Sequence, residues 1–207
     1  SLLQNASSIL QSALIKISGA ESLESLRGLE GETAAVYFGV LDEMILHNKS
    51  EFYFKERSRR PPLDKVNAML SFAYALLEND CASALEAVGL DSYVGFLHRD
   101  KPGRSSLALD LMEELRPCMA DRFVLTHINN RLIQPNDFVD RESGAVIMTE
   151  TGRKKLIKAW QEHKREQITH PFIKEKIPWG LVPYIQALLL ARYLRDDLDG
   201  YPPFLWK

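Results

Sequence analysis

Apolar residues recur at intervals of three and four positions over long stretches of the chain, and few stretches alternate residue by residue. The first spacing is typical of amphipathic helices and the second of half-buried strands, so the pattern predicts an all-α fold. We expect a single multi-helix domain over residues 1–207, with a hairpin and a basic helix at its periphery within residues 135–170. The predicted helices span residues 2–17, 26–46, 64–88, 105–117, 118–130, 149–167 and 179–194.

Capping and helix-breaking residues mark the boundaries of these elements. Asp64 is well placed to cap the long central helix, and Gly89 is placed to end it. Ser105 or Ser106 should cap the helix that follows, which should end or kink near Pro117 because proline cannot donate a helical hydrogen bond.

Two other segments fall outside the helical pattern. Residues 48–62 are polar and basic and end in two prolines, so they predict a loop. Residues 138–148 form the one plausible β-hairpin. The last predicted helix contains Pro183 and is expected to be interrupted there. The aromatic and proline-rich tail at residues 201–206 should either pack on the domain or contact a partner.

The amino-acid composition is that of an ordinary globular protein. Its 207 residues, 45% of them hydrophobic and 26% charged, are enough to bury a core. The two cysteines, Cys81 and Cys118, are far apart, which argues against a disulfide framework or a zinc site and favours a reducing cytoplasm. No apolar run approaches the roughly 18 residues of a membrane span. The chain opens at Ser1 inside an apolar-periodic segment, so we expect it to be a fragment of a longer polypeptide.

The net charge of −2 conceals local basic clusters. Nucleic-acid-binding domains usually carry a basic excess, so the average charge does not favour that function. Lysine and arginine nevertheless concentrate at residues 55–60, 99–104 and 153–165, of which the last is most simply a solvated helix face. The aromatic residues at 52–54 could stack on bases or anchor their loop to the core. The candidate phosphate-binding residues are Arg59, Arg60, Arg99, Lys101 and Arg104.

Three short phrases combine carboxylates with a histidine. They are Gly28-Leu29-Glu30-Gly31, Gly95-Phe96-Leu97-His98 and Asp110-Leu111-Met112-Glu113. Asp110 and Glu113 are three apart and share a helix face, among apolar neighbours where a carboxylate needs a cationic partner. Imidazole and carboxylate ligands suit Mn²⁺ or Mg²⁺, so the phrases predict a divalent-metal site for phosphate-ester chemistry.

Each of these residues also has a plainer interpretation. Taken singly, the acids could lie at the surface and the histidine could be a hydrogen-bonded core residue. The glycines beside Glu30 could admit a phosphate or a second backbone, or they could simply be irregularities at the start of a helix. The neighbouring acids Glu114 and Asp121 are expected at the surface.

Together the phrases resemble the signatures of the CRISPR-associated adaptation integrases, the metal-dependent enzymes that insert new spacers into CRISPR arrays. The similarity covers essentially the whole chain and resembles the subtype C branch of type I systems most closely. The motifs that carry it are Leu26-Arg27-Gly28-Leu29-Glu30-Gly31, Arg59-Arg60-Pro61-Pro62, Asp64-Lys65-Val66-Asn67-Ala68, Gly95 to His98, Ser106 to Glu113 and the tail Tyr201 to Trp206.

The resemblance implies roles for four residues. Glu30, His98 and Glu113 would ligate Mn²⁺ or Mg²⁺, with Asp110 as a supporting carboxylate of the same catalytic centre. Glu113 stands where some branches of the family have aspartate. The implied reaction is a direct transesterification, in which the 3′-hydroxyl of a prespacer attacks a phosphate of the repeat DNA.

The resemblance also implies partners. These are prespacer DNA, a duplex with single-stranded 3′ ends; CRISPR repeat DNA; a small ferredoxin-like protein; and an iron–sulfur exonuclease that trims prespacers. The family's N-terminal β-rich domain, which supports homodimerisation, is absent from this sequence, so we expect only the catalytic helical portion.

Alternatives from other classes remain open. They are a noncatalytic DNA-binding or assembly module, a metal-dependent phosphohydrolase acting on small substrates, and a purely structural helical protein.

Overall fold

The computed structural model describes residues 1–99 and 101–206, and helices dominate this part of the chain. Two small antiparallel hairpins, β1 with β2 and β3 with β4, are the only sheets in it. The predicted all-α class is therefore confirmed. The α-helices are α1 (Leu2–Ile17), α2 (Leu23–Gly39), α3 (Lys65–Ala87), α4 (Ser106–Leu115), α5 (Arg122–Asn129), α6 (Glu150–His163) and α7 (Val182–Leu194), and the strands are β1 (Phe138–Asp140), β2 (Val146–Met148), β3 (Gln167–Thr169) and β4 (Lys176–Pro178).

The chain divides into two compact units. Unit 1 comprises Ser1–Met69 and Leu125–Thr149, and unit 2 comprises Leu70–Val124 and Glu150–Lys207. The expectation that residues 1–207 form one domain stays a prediction. No helix in the described ranges is long and apolar enough to cross a membrane.

In unit 1, α1 has the predicted bounds and packs on α2. Helix α2 begins three residues earlier than predicted, because Ser22 and Ser25 cap it reciprocally. The predicted continuous helix to residue 46 was wrong, since α2 ends at Gly39 and a 3₁₀ turn follows at Leu41–Met44. Glu30 consequently lies in the third turn of α2.

The loop at residues 48–62 is confirmed, and its aromatic residues divide between two roles. Phe52 and Phe54 are buried and lie against the rings of Phe138 and Phe38. Tyr53 is exposed, with the Lys55 ammonium 5.8 Å from its ring centroid. Two rings thus anchor the loop and one faces solvent.

A buried amide fixes this loop to the start of α3. Asn67 is fully buried, and its side chain donates to the Glu56 carbonyl at 2.8 Å and to Asp64 at 2.6 Å. Its oxygen accepts from Arg57 at 2.7 Å and from the Ser58 N–H at 3.0 Å. Asp64 in turn accepts from the Asn67 N–H, so it caps α3 as predicted.

In unit 2, α4 carries two of the candidate site residues and ends in a wider turn. A π-helical turn at Arg116–Asp121 contains Pro117, so the predicted break is confirmed. Ser105 is the N-cap residue of α4, as predicted, but no side chain makes a capping hydrogen bond there. The Ser105 hydroxyl donates instead to Glu78, and the Ser106 hydroxyl donates to the Arg99 carbonyl.

The later elements of unit 2 depart from the predicted pattern. The basic helix α6 ends at His163, before the predicted residue 167, because the chain enters the unpredicted hairpin β3–β4. A 3₁₀ turn occupies Trp179–Leu181, and Pro183 lies in the first turn of α7. A helix tolerates proline there, so the predicted interruption is instead a helix start.

The C-terminal tail packs on unit 2 through the Glu114 carboxylate, which is half-buried. The prediction that Glu114 lies at the surface was therefore wrong. Glu114 accepts hydrogen bonds from the Tyr201 hydroxyl, from the Gln186 amide at 3.2 Å and from the Phe204 N–H at 2.8 Å. Phe204 is buried, and burial raises the pKa of the Tyr201 phenol well above its usual range. Trp206 lies 5.1 Å from Trp179, centroid to centroid.

Candidate active site

The segment that precedes His98 folds around a single carboxylate. Asp110 accepts backbone hydrogen bonds from Phe96 at 2.6 Å, from Leu97 at 3.0 Å and from His98 at 2.9 Å. Charged acceptors form the stronger hydrogen bonds of this kind. Asp110, on α4, therefore fixes the backbone that carries the histidine.

The same carboxylate orients the imidazole ring. His98 Nδ1 lies 2.6 Å from Asp110 Oδ1, and the two side chains retain 22% and 9% of their exposure. We assign a proton to Nδ1, because a carboxylate can only accept, so in the neutral imidazole the lone pair lies on Nε2. Metal-binding histidines are commonly held in this way by a carboxylate on the other ring nitrogen.

Gly95 is required by the close approach of this segment to α4. A Cβ built at Gly95 would lie 2.7 Å from Ser106 Cβ, 2.9 Å from the His98 carbonyl oxygen and 3.0 Å from Asp110 Oδ2. A larger residue would have to move either the histidine or its carboxylate partner. The glycine of the phrase Gly95-Phe96-Leu97-His98 thus has a packing reason.

Glu113 has a different partner from Asp110. Both of its oxygens are engaged by Arg116, at 2.9 Å (Nη1 to Oε1) and 2.7 Å (Nη2 to Oε2). The Arg116 guanidinium lies 5.6 Å from the ring centroid of Tyr74, whose hydroxyl donates to Asp121 at 2.5 Å. Asp121 is almost fully buried, so the prediction that it lies at the surface was wrong.

Glu30 lies in unit 1, on α2, with an exposed side chain. An added Cβ at Gly28 or Gly31 would meet no atom within 4 Å outside its own stretch of α2. Within unit 2, by contrast, the structure brings His98 and Asp110 into contact and places Glu113 one turn further along α4. In residues 1–99 and 101–206, no group of three or more His, Cys, Asp or Glu side chains is arranged to hold a metal ion.

The candidate phosphate-binding residues lie on two loops. Arg59 and Arg60 are exposed on the loop of unit 1 that Asn67 anchors. In unit 2, Arg99 and Lys101 are exposed and Arg104 is half-buried. The hydroxyl of Ser106 holds the Arg99 carbonyl at 3.2 Å, which ties that loop to the start of α4.

The sequence pattern did not single out Arg116. The one available signal was its spacing of three residues from Glu113, which places the two side chains on one helix face. Tyr74, on α3, is half-buried and donates its hydroxyl to Asp121.

Solved structures define the class of fold. A casposase bound to its integration product is 28% identical with a TM-score of 0.83, and the match covers 92% of this chain and 53% of that one. A Cas1 protein from Thermotoga maritima is 26% identical with a TM-score of 0.80, over 91% of this chain and 57% of that one. The fold is thus one shared by a casposase and a Cas1 protein.

Sequence comparison identifies the family. Residues 1–162 match the family described as CRISPR associated protein Cas1. The CRISPR-associated endonuclease Cas1 2 of Rhodospirillum rubrum is 57% identical over 188 residues, which are 91% of this chain and 55% of that protein. The CRISPR-associated endonuclease Cas1 of Leptospira interrogans is 51% identical over 188 residues, 91% of this chain and 74% of that protein. The chain belongs to the Cas1 family, and it spans about half the length of the Rhodospirillum relative.

Two further likenesses concern larger assemblies. A Cas6-RT-Cas1–Cas2 complex contains a chain that is 25% identical with a TM-score of 0.82, and the match covers 99% of this chain and 22% of that one. A Geobacter sulfurreducens protein described as a CRISPR-associated exonuclease Cas4/endonuclease Cas1 fusion is 44% identical over 191 residues, which are 91% of this chain and 34% of the fusion.

Proposed function

We propose that this chain is the catalytic helical part of a metal-dependent DNA endonuclease and integrase of CRISPR adaptation. In the proposed reaction a prespacer 3′-hydroxyl attacks a backbone phosphate of the repeat DNA, and the bond from that phosphorus to the 3′-oxygen of the cleaved strand breaks, so that a new 3′-hydroxyl leaves. The observation that carries the proposal is the contact between His98 Nδ1 and Asp110, which leaves Nε2 available for a ligand. The names of the endonuclease relatives and the casposase likeness support it.

The donor chemistry of the site residues suits a hard divalent cation. Glu30, His98 and Glu113 would hold Mn²⁺ or Mg²⁺, which when bound polarises the scissile phosphate and offsets its developing charge. Asp110 keeps the proton on His98 Nδ1 and holds the ring in place. Its hydrogen bonds to the backbone of residues 96–98 support a positioning role rather than that of a ligand.

The basic loops would bind the DNA backbone. Arg59, Arg60, Arg99, Lys101 and Arg104 would contact phosphates of the prespacer and of the repeat, so binding should weaken as salt rises. The protein partners would be a small ferredoxin-like protein and an iron–sulfur exonuclease, with homodimerisation in the full-length protein and action in the cytoplasm. The fusion relative and the Cas1–Cas2 complex support such assemblies.

Manganese binding tests the proposal directly. We expect crystals of the chain soaked in MnCl₂ to show an anomalous peak beside His98 Nε2 that is lost in His98→Ala. The matched control is His47→Ala, because His47 is exposed on unit 1 and should leave the peak unchanged. No peak in well-soaked crystals would contradict a metal site at His98.

A second variant tests the positioning role of Asp110. Asp110→Asn removes the charged acceptor of the His98 ring while keeping the shape of the side chain. We expect Mn²⁺ affinity to fall roughly 10- to 100-fold, as it does when the hydrogen-bond partner of a metal-binding histidine is changed. Asp140→Asn, at an exposed position of β1, is the control, and equal affinities in the two variants would contradict the role.

One observation favours a second function, a noncatalytic DNA-binding or assembly module. Glu113 is already paired through both oxygens with Arg116, as a structural ion pair would be. This alternative predicts DNA binding that does not respond to Mn²⁺ and no strand transfer to labelled repeat DNA by the chain in complex with its partners.

A further inference from the structure

Arg116 holds Glu113 in the geometry of a strong ion pair. The two N–H groups of the guanidinium face the two carboxylate oxygens, at 2.9 and 2.7 Å, and the side chains retain only 16% and 24% of their exposure. Paired donors and acceptors of this kind are stronger than single hydrogen bonds, and partial burial limits the screening by solvent. The pair is therefore more than a surface contact.

A second set of contacts holds Arg116 independently of Glu113. The guanidinium lies over the face of Tyr74, 5.6 Å from the ring centroid, within the range of a cation–π interaction. The Tyr74 hydroxyl is fixed in turn by its 2.5 Å bond to the buried Asp121. The arginine thus retains a binding surface if the carboxylate turns away from it.

The backbone at this point is also unusual. Arg116 is the first residue of the π-helical turn Arg116–Asp121, and Pro117 removes a backbone donor there. Turns of this kind occur often at functional sites, because they interrupt the regular helical hydrogen bonds. Glu113 lies within α4, one turn before this interruption.

We propose that Arg116 is an exchangeable counter-ion of Glu113, which occupies the carboxylate until a divalent cation displaces it. The inference rests on the proposed function, in which Glu113 is a metal ligand. A carboxylate whose two oxygens are both engaged by an arginine can ligate a metal only if that ion pair breaks or opens. Arg116 therefore lowers the affinity of the centre for the cation, and its removal should make the centre bind metal more tightly.

Titration of MnCl₂ into the 207-residue chain, followed by the EPR signal of free Mn²⁺, tests this competition. Arg116→Met keeps an unbranched side chain beside Tyr74 and removes the guanidinium. We expect the dissociation constant for Mn²⁺ to fall roughly tenfold, because Glu113 no longer has to leave a partly buried ion pair. Arg122→Met is the matched control, since Arg122 lies in the same unit with its guanidinium on the ring of Trp206. It should change the constant by less than about twofold.

Strand-transfer activity distinguishes competition from a purely structural role, because the two predict opposite shifts in the Mn²⁺ concentration that activity requires. If Arg116 merely stabilised the fold, its loss would weaken metal binding and activity together. Competition predicts instead that half-maximal activity of Arg116→Met is reached at a lower Mn²⁺ concentration than in the wild type. A shift to higher Mn²⁺ would overturn the proposal.

The titration distinguishes a failure of this inference from a failure of the proposed function. If the wild type binds no Mn²⁺, or if His98→Ala binds it as the wild type does, the proposed metal site is wrong whatever Arg116 does. If binding depends on His98 and Arg116→Met leaves the constant within about twofold, the site stands and the competition is wrong.

A conservative variant covers the case in which Arg116→Met does not fold. Arg116→Lys keeps the positive charge but replaces the planar two-donor fork with a single ammonium. Its dissociation constant for Mn²⁺ should lie between those of the wild type and the methionine variant. A lysine variant that binds Mn²⁺ no more tightly than the wild type would contradict a competition that depends on the fork.

Discussion

At the residue scale, two carboxylates of one helix face have different roles. The spacing of Asp110 and Glu113 correctly predicted that both belong to one helix, because the helical repeat alone determines this. Their partners could not be predicted in the same way. Asp110 binds a segment that returns to α4 from twelve or more residues earlier, and only the tertiary fold brings that segment there.

Gly95→Ala should destabilise unit 2 and disturb the histidine. The added Cβ would lie closer than 3.0 Å to Ser106 Cβ and to the His98 carbonyl oxygen, so either the segment or α4 has to move. We expect a loss of roughly 1–3 kcal/mol in the free energy of unfolding, as for other overpacked sites. Urea denaturation of the chain gives this value directly.

Gly28→Ala is the control for this substitution. An added Cβ at Gly28 meets nothing within 4 Å and the residue lies inside α2, so alanine should raise the free energy of unfolding by roughly 0.5–1 kcal/mol. Equal effects of the two alanines would contradict the packing reason given for Gly95.

At the scale of elements, the sequence predicts a helix well when its periodicity and its capping residues lie within the element itself. Helix α1 was predicted with its observed bounds, because its period and its cap both lie within the element. The hairpin β3–β4 was missed, since its strands are only three residues long and its loop contains no glycine. Lys174 takes the positive φ of 61° in that loop, a conformation for which glycine or asparagine is the usual signal.

Asn67→Ala should loosen the basic loop of unit 1. The substitution leaves the Ser58 N–H and the Arg57 guanidinium without the buried oxygen that they share. We expect the free energy of unfolding to fall by roughly 2–3 kcal/mol, the range for buried polar groups left unpaired. Limited trypsin digestion should also cut faster at Lys55 or Arg59. Asn130→Ala, at an exposed position, should change neither, and an equally resistant loop in Asn67→Ala would contradict the anchoring role.

At the scale of the whole molecule, the tail shows why charged residues mislead a sequence analysis. Glu114 was expected at the surface, since an isolated carboxylate avoids burial. Its donors Tyr201 and Phe204 are nearly ninety residues further along the chain, so no local pattern could indicate them. Of the two expectations for the tail, packing on the same domain is the one that the structure supports.

His170 makes the stability of this tail region sensitive to pH. It is fully buried; its Nδ1 accepts from the Phe172 N–H at 3.2 Å, and its Nε2 lies 3.1 Å from the Gln186 oxygen. Burial lowers the pKa of His170 below the usual value of 6.5, although the bond to Gln186 opposes the shift. The unfolded chain therefore binds the proton more readily, and stability should fall as pH drops below about 6.5, until the folded pKa is passed.

Urea denaturation between pH 7.5 and pH 5 measures this contribution when His170→Asn is compared with the wild type. Asparagine offers an oxygen in place of Nδ1 to accept from the Phe172 N–H and does not titrate. The variant should lose less stability than the wild type over this interval, because one of the groups that protonates on unfolding is gone. His47→Asn, at an exposed position, should retain the full dependence. Parallel stability curves for His170→Asn and the wild type would show that this histidine does not couple folding to pH.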